Sequence, residues 1–160
     1  MFLWNLEKCL KIFEEVYVSS DSYEILKLAT LHGAKPIHRG DELCGDTPDI
    51  PVFQHALGKM EAVEGIVAVH VNNPTIESNL IAMVKKCLEM GVEEVMTCHP
   101  MNKRAEYKKQ GNPIYGSIRG MTKERLLNYG DPYHPTPEML IVDTSPEIET
   151  YEDFEKLNGN

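Results

Sequence analysis

From Phe2 to Phe13 the apolar side chains of Leu3, Leu6, Leu10 and Phe13 recur at the spacing of one helix face, which predicts a helix over 2–13. Val16-Tyr17-Val18 follows as a β-branched and aromatic run ending at Ser19-Ser20-Asp21, and reads as a strand. Asp21, with Glu24 three residues on, forms a capping-box pattern. It opens a helix that presents Ile25, Leu26 and Ala29 and stops at Gly33. Residues 34–37 read as a further strand, placed at a sheet edge by Pro36. Thr47-Pro48-Asp49 opens a helix reaching Met60, with Val52, Phe53, Ala56 and Leu57 on one face.

Residues 65–71 make the most apolar run in the chain, the pattern of a strand covered by helices on both sheet faces. Residues 77–90 form the clearest amphipathic helix, with Leu80, Ile81, Val84, Cys87 and Leu88 on its buried stripe and Gly91 closing it. Residues 95–98 are the next strand. Beyond His99 the pattern weakens to a short strand at 114–117, a helix at 122–128 and a loop with Pro132, Pro135 and Pro137. An apolar run at 139–142 and a terminal helix at 150–157 complete the order. Strand–helix alternation over the first hundred residues predicts an α/β fold: a mostly parallel sheet with right-handed crossovers and helices on both faces. A single domain spans 1–160, with 100–138 as a candidate insertion for dimerisation or substrate choice.

Composition narrows the class. A chain of 160 residues with 42% hydrophobic and 26% charged positions is that of a soluble domain with one core. No stretch approaches a membrane span, and the N-terminus lacks the basic start and apolar run of a signal peptide, so the cytoplasm is the expected location. A formal net charge of −9 argues against non-specific nucleic-acid binding. Cys9, Cys44, Cys87 and Cys98 show no Cys-x-x-Cys spacing, which argues against a zinc site or a disulfide framework.

Ligands of such sheets bind outside the carboxyl ends of the strands. Three of those ends are small and polar: Ser19-Ser20-Asp21, His70-Val71-Asn72-Asn73-Pro74 and Cys98-His99-Pro100. With Arg39 and Gly45-Asp46-Thr47 they predict a cleft of hydroxyls, amides and one cation, suited to a nucleotide or sugar. Each is also an ordinary cap or turn sequence. Cys98-His99 invites a nucleophile reading, but no base or oxyanion donor is located for it. Late in the chain, Glu147 and Glu149 are separated by one residue and point the same way in an extended segment, so they can share one hard divalent cation. Acidic residues before a helix also simply favour its positive end.

The segments Val16-Tyr17-Val18-Ser19-Ser20-Asp21, His38-Arg39-Gly40-Asp41-Glu42-Leu43-Cys44-Gly45-Asp46-Thr47, the strand ending in Asn73-Pro74, and Glu147-Ile148-Glu149-Thr150-Tyr151-Glu152-Asp153-Phe154 together resemble the CMP-sugar synthetases. These are the cytidylyltransferases that activate acylneuraminate (sialic acid) and Kdo-type sugars. The resemblance covers most of the chain and is loosest at 100–138. It implies a Rossmann-like nucleotidyltransferase fold, a homodimer, and Mg²⁺-assisted transfer of CMP from CTP to an acidic sugar with release of pyrophosphate. Carried over, Glu147 and Glu149 are metal carboxylates, and Ser20, Asp21, Arg39 and Asp46 line the nucleotide side. His70, Asn72 and Asn73 face the sugar.

The chain departs from that pattern at its start. The family's first strand and its Pro-Ala-Arg-x-Gly-Ser-Lys type loop have no counterpart, so Met1 aligns about 25–30 residues into the family pattern, a strand, loop and turn in length. Both metal Asp positions of the family are Glu here. Three explanations follow: a start assigned too late, a natural short relative, or a second chain that supplies the strand. Two function classes stay open, an Mg²⁺-dependent cytidylyltransferase and a non-catalytic nucleotide- or sugar-binding or assembly module that retains the fold.

Overall fold

The computed structural model describes residues 2–100 and 114–145, together with Glu152 and Glu155. Its elements are α1 (Phe2–Ile12), β1 (Tyr17–Ser20), α2 (Tyr23–Leu31), β2 (Lys35–His38), a 3₁₀ turn (Asp41–Leu43), α3 (Asp49–Leu57) and β3 (Gly65–Val69). They continue with α4 (Ser78–Glu89), β4 (Glu94–His99), β5 (Ile114–Thr122), α5 (Lys123–Leu127) and β6 (Met139–Val142). The hydrophobic pattern therefore located nearly every element. Gly33 and Gly91 close their helices at φ +92° and +95°, a backbone region that disfavours side chains. The cap of α2 differs from expectation. Ser22, not Asp21, accepts from the Ile25 N–H, because the Ser22 N–H is itself drawn onto Ser20 Oγ at 3.1 Å and the turn closes one residue later.

The sheet also differs. The strands form two separate pieces, a parallel β1–β2 pair and a four-stranded piece in the order β3-β5-β4-β6. β5 runs antiparallel to both β3 and β4, whereas β4 and β6 are parallel. β5 is nine residues long rather than four, and its glycines are what allow its packing. A Cβ at Gly120 would fall 2.6 Å from the Val84 side chain, and one at Gly116 would fall 2.5 Å from Thr97 Oγ1. Absent side chains let α4 and β4 lie directly on this strand.

Helices cover both faces, as the apolar runs predict. Val67 and Val69 pack toward Ile81 and Val84 of α4, while Ile66 and Ala68 pack toward Ile50, Phe53 and Leu57 of α3. Helix α1 belongs to both sheet pieces. Leu6 joins Ala29 and Ala34 beneath β1, and Cys9 joins the α4 cluster beneath β3. Burial holds the Cys9 thiol up at about 11, so at pH 8 roughly one molecule in a thousand carries the thiolate. Iodoacetamide labelling followed by mass spectrometry is expected to be slow at Cys9 at pH 8 and to rise about tenfold per pH unit toward that value. No helix among the described residues is long and apolar enough to cross a membrane.

Candidate functional site

The carboxyl ends of β1 and β3 open onto one cavity of about 1010 Å³. Ser19, Asp21, Arg39, Cys44, Thr47 and His70 line its polar end. β1 ends in a tight corner because Ser20 is buried and holds the Ser22 N–H, while the Arg39 N–H donates to the Ser20 carbonyl at 3.0 Å. The Arg39 side chain is near enough to Asp21 to act on its carboxylate. Asp21's carboxyl lies below the usual carboxylate range, first through its own backbone N–H, then through Arg39, Ser20 and Cys44. The Cys44 thiol moves the other way, raised by desolvation and by Asp21 and Asp41. The loop from 40 to 47 is tied by Thr47 Oγ1 donating to the Cys44 carbonyl at 2.9 Å.

A second cavity of about 450 Å³ lies over β5 and is lined by Asp46, Asn72, Ser117, Arg119 and Tyr133. Thr47, Asp49, His70 and Asn72 line both cavities, so the two meet at the end of β3. His70 Nε2 sits 3.6 Å from Asp49 Oδ2, and its ring meets Phe53 edge-on. Among the described residues, Ser19 Oγ and Arg39 Nε at the first cavity and Ser117 Oγ at the second are buried without a hydrogen-bond partner. His55 Nδ1, on neither cavity, is likewise without a partner, and buried polar atoms are ordinarily satisfied by protein or water.

The predicted residues thus converge in part. Asp21, Arg39, Asp46, His70 and Asn72 line the joined cavities, and Ser20 shapes the corner beneath them. Asn73 is fully buried and does other work. It donates to Ser145 Oγ at 3.0 Å and lies 3.5 Å from Asp143 Oδ2, while its carbonyl accepts from Asn5 Nδ2 at 3.0 Å. Asp143, also buried, is held by Ser145 and follows β6, so the chain reaches residue 145 beside the end of β3. Glu147 and Glu149, the proposed metal pair, lie outside the described residues. Among the described residues no group of three His, Cys, Asp or Glu side chains could hold a metal ion. Cys98 is an unpromising nucleophile, since burial and the nearby Asp143 carboxylate raise its thiol.

Arg119 was not legible from its sequence context. It lies buried on β5, paired with Glu94 at 2.6 Å, and Arg125 takes the other carboxylate oxygen at 2.9 Å. Two guanidinium groups share that one carboxylate, and Arg119 lines the second cavity together with Asp46 and Asp49.

No family model matches the chain, and no curated protein does. Solved structures do. CMP:2-keto-3-deoxy-manno-octonic acid synthetase complexed with CTP superposes with a TM-score of 0.72 at 13% identity, over 99% of this chain and 86% of that one. The bifunctional IspDF from Campylobacter jejuni gives 0.69 at 12% identity, over 97% of this chain and 45% of that one. Rv0371C from Mycobacterium tuberculosis H37Rv, in complex with manganese, gives 0.60 at 15%, over 97% and 86%. The fold is therefore a Rossmann-like nucleotidyltransferase fold, the one the motif resemblance implies.

Proposed function

We propose that this chain is a cytidylyltransferase-type protein that binds CTP in the first cavity and an acidic sugar of the sialic acid or Kdo class in the second. The observation that carries the reading is the junction of two polar-ended cavities over Thr47, Asp49, His70 and Asn72 at the strand ends. A nucleotide seated against the Ser19–Asp21 corner and Arg39 would direct its phosphates toward that junction. An anionic sugar in the second cavity would find Arg119 on its lining. The sugar hydroxyl then attacks the α-phosphate and gives up its proton to water, the bond to the β-phosphate breaks, and pyrophosphate leaves with the electron pair. His70 and Asn72 are the side chains at hand to orient that hydroxyl. Mg²⁺, with Glu147 and Glu149 as its carboxylates, would supply charge stabilisation on phosphate oxygens. A cytoplasmic homodimer, with 100–138 contributing to substrate choice, completes the reading.

One observation favours binding without turnover as the second reading. Arg39 and Lys85 are the cations on the first cavity, against Glu15, Asp21, Asp49, Glu64 and Glu89. A triphosphate meets more carboxylate than cation there, whereas transfer needs cations fixed on the phosphates. Thermal denaturation with and without CTP and Mg²⁺ separates the cases. Binding at a ligand concentration of 100 Kd stabilises the chain by about 2.7 kcal/mol and raises the melting temperature. Arg39→Ala is expected to remove most of that shift. Pyrophosphate release with an acidic sugar present identifies the transferase, protection without release the binding module, and no shift at millimolar CTP overturns both.

A further inference from the structure

The smaller cavity joins a buried inner part to an open outer part, and the two differ in chemistry. Ser117 and Arg119 of β5 belong to the inner part, at 2% and 4% exposure. β5 is irregular there. Met96 pairs with Arg119 and Cys98 with Tyr115, so β4 advances two residues where β5 advances four. The spare residues lie opposite Thr97, whose Oγ1 accepts from the Ile118 N–H at 3.0 Å. Such a bulge re-aims side chains beside a site. Ser117 gains no side-chain partner from it. Its carbonyl accepts from the His70 N–H at 2.8 Å, yet its Oγ is buried and unbonded. In Arg119, Glu94 takes Nε and Nη2 and Tyr129 shares Nη2, which leaves Nη1 without a partner among the described residues. A hydroxyl and a guanidinium N–H, both unspent, suit the two oxygens of one carboxylate.

The outer part asks for the opposite charge. Asp46 is exposed and Asp49 half-buried where the chain enters α3, and both line the cavity. His70 lies 3.6 Å from Asp49, too far for a hydrogen bond, and Asp46 forms no ion pair among the described residues. Arg119 does not offset them, because its guanidinium already faces Glu94 at 2.6 Å. A ligand bearing only a carboxylate would share the cavity with two unmatched aspartates. An ammonium group elsewhere on the same ligand removes that conflict, since it brings a positive charge and three donors. Tyr133 lines the cavity as well, 71% exposed, and a phenol ring attracts a cation to its face. At about 450 Å³ the space is in the size range of a small-ligand site.

We infer that the second cavity selects a zwitterionic acceptor, a sugar acid with a free ammonium group, whose carboxylate rests on Ser117 and Arg119 and whose ammonium rests on Asp46 and Asp49. The inference rests on the proposed reading of this cavity as the acceptor site, and narrows the acidic sugar to one that carries both charges. Selectivity has two sources. The free amine answers the aspartates, whereas an N-acyl form offers them one neutral N–H and added bulk. The free acid answers the inner donors, whereas an ester leaves Arg119 Nη1 without an anion. Specificity is a difference of affinities, so each missing charge counts against its own competitor.

Calorimetric titration of the full chain at neutral pH tests it with three forms of one scaffold. These are the methyl glycoside of neuraminic acid, its N-acetyl form and its methyl ester. The blocked anomeric hydroxyl prevents transfer, so binding is read alone. The zwitterion is expected to bind about tenfold or more tighter than either single-charge form. Asp46→Asn combined with Asp49→Asn is expected to close the gap to the N-acetyl form and leave the gap to the ester. Ser117→Ala is expected to narrow the gap to the ester and leave the other. Arg119 is kept, because its loss would unpair the buried Glu94. Equal or tighter binding of the N-acetyl form overturns the inference, as does the absence of binding by all three at millimolar concentration. A preference erased by millimolar Mg²⁺ would assign the two aspartates to a metal ion and overturn it too. Zwitterion binding without a CTP-induced rise in melting temperature keeps the inference and removes the nucleotide reading. A CTP response with the N-acetyl form favoured does the reverse.

Discussion

Glu94→Ala is expected to lower the unfolding free energy by about 3–5 kcal/mol, measured as a fall in the urea midpoint without a change in slope. Glu94 opens β4 with a carboxylate almost wholly out of water. One oxygen accepts from Arg119 Nε at 3.0 Å and Nη2 at 2.6 Å, and the other from Arg125 Nε and Nη2 at 3.0 and 2.9 Å. Tyr129 closes the group, its hydroxyl 3.2 Å from Glu94 Oε1 and its ring beneath both guanidinium groups. Removing the carboxylate leaves Arg119 buried and uncompensated, and a charge without its partner is far more costly than a pair replaced whole. Two controls make the cause visible. Glu94→Gln keeps the shape but not the charge and is expected to lose nearly as much. The triple replacement Glu94→Leu, Arg119→Met, Arg125→Met is expected to recover most of the stability while weakening any anion bound in the second cavity. A Glu94→Ala loss below about 1 kcal/mol, the range of exposed pairs, would show the network to be solvated.

That network also shows where sequence reading stops. Periodicity placed α1, α2, α3, α4, β3 and β4 because each is held by a one-face or two-face apolar pattern that needs no partner to be recognised. β5 escaped it. Its apolar residues are broken by Gly116, Arg119 and Gly120, and only the positions of Val84, Thr97 and Glu94 explain why a glycine or a guanidinium belongs there. The insertion of β5 antiparallel between β3 and β4 is likewise a fact of pairing, invisible to alternation counted along the chain. At the site, the polar strand ends and Arg39 pointed to residues that line the joined cavities, Asp21, Arg39, His70 and Asn72, since such ends collect at one edge of an α/β sheet. The same cue could not distinguish Asn72, which lines both cavities, from Asn73, one residue on and fully buried. The signal that would have singled out Ser19 and Ser117 is an unsatisfied hydroxyl, which exists only once neighbours are in place.

Asn5→Ala is the second large expected effect, and it links stability to the site. Asn5 is a buried polar residue in the middle of an otherwise apolar stripe on α1. Its Nδ2 donates to the His70 carbonyl at 2.9 Å and to the Asn73 carbonyl at 3.0 Å, clamping the turn that carries Asn72. One turn further along α1, Lys8 Nζ donates to the carbonyls of Pro74 and Ile76 at 2.6 and 2.8 Å, extending the clamp. Alanine at position 5 deprives two carbonyls of a donor in a dry setting, a loss of about 2 kcal/mol seen in thermal or urea unfolding. The consequence for ligands is expected to be larger than for the fold. His70 and Asn72 stand where the two cavities meet, and α1 contributes to the clusters beneath both β1 and β3. Loosening it frees one sheet piece to shift relative to the other, so the CTP-induced rise in melting temperature is expected to vanish in Asn5→Ala while the variant remains folded at 25 °C. Asn5→Asp separates the two effects. It keeps the volume but presents an acceptor to two carbonyls, and is expected to destabilise more than alanine does. Full retention of the nucleotide response in Asn5→Ala would mean that the strand ends hold their places without α1, and that the junction of the cavities is set by the loop from 40 to 47 instead.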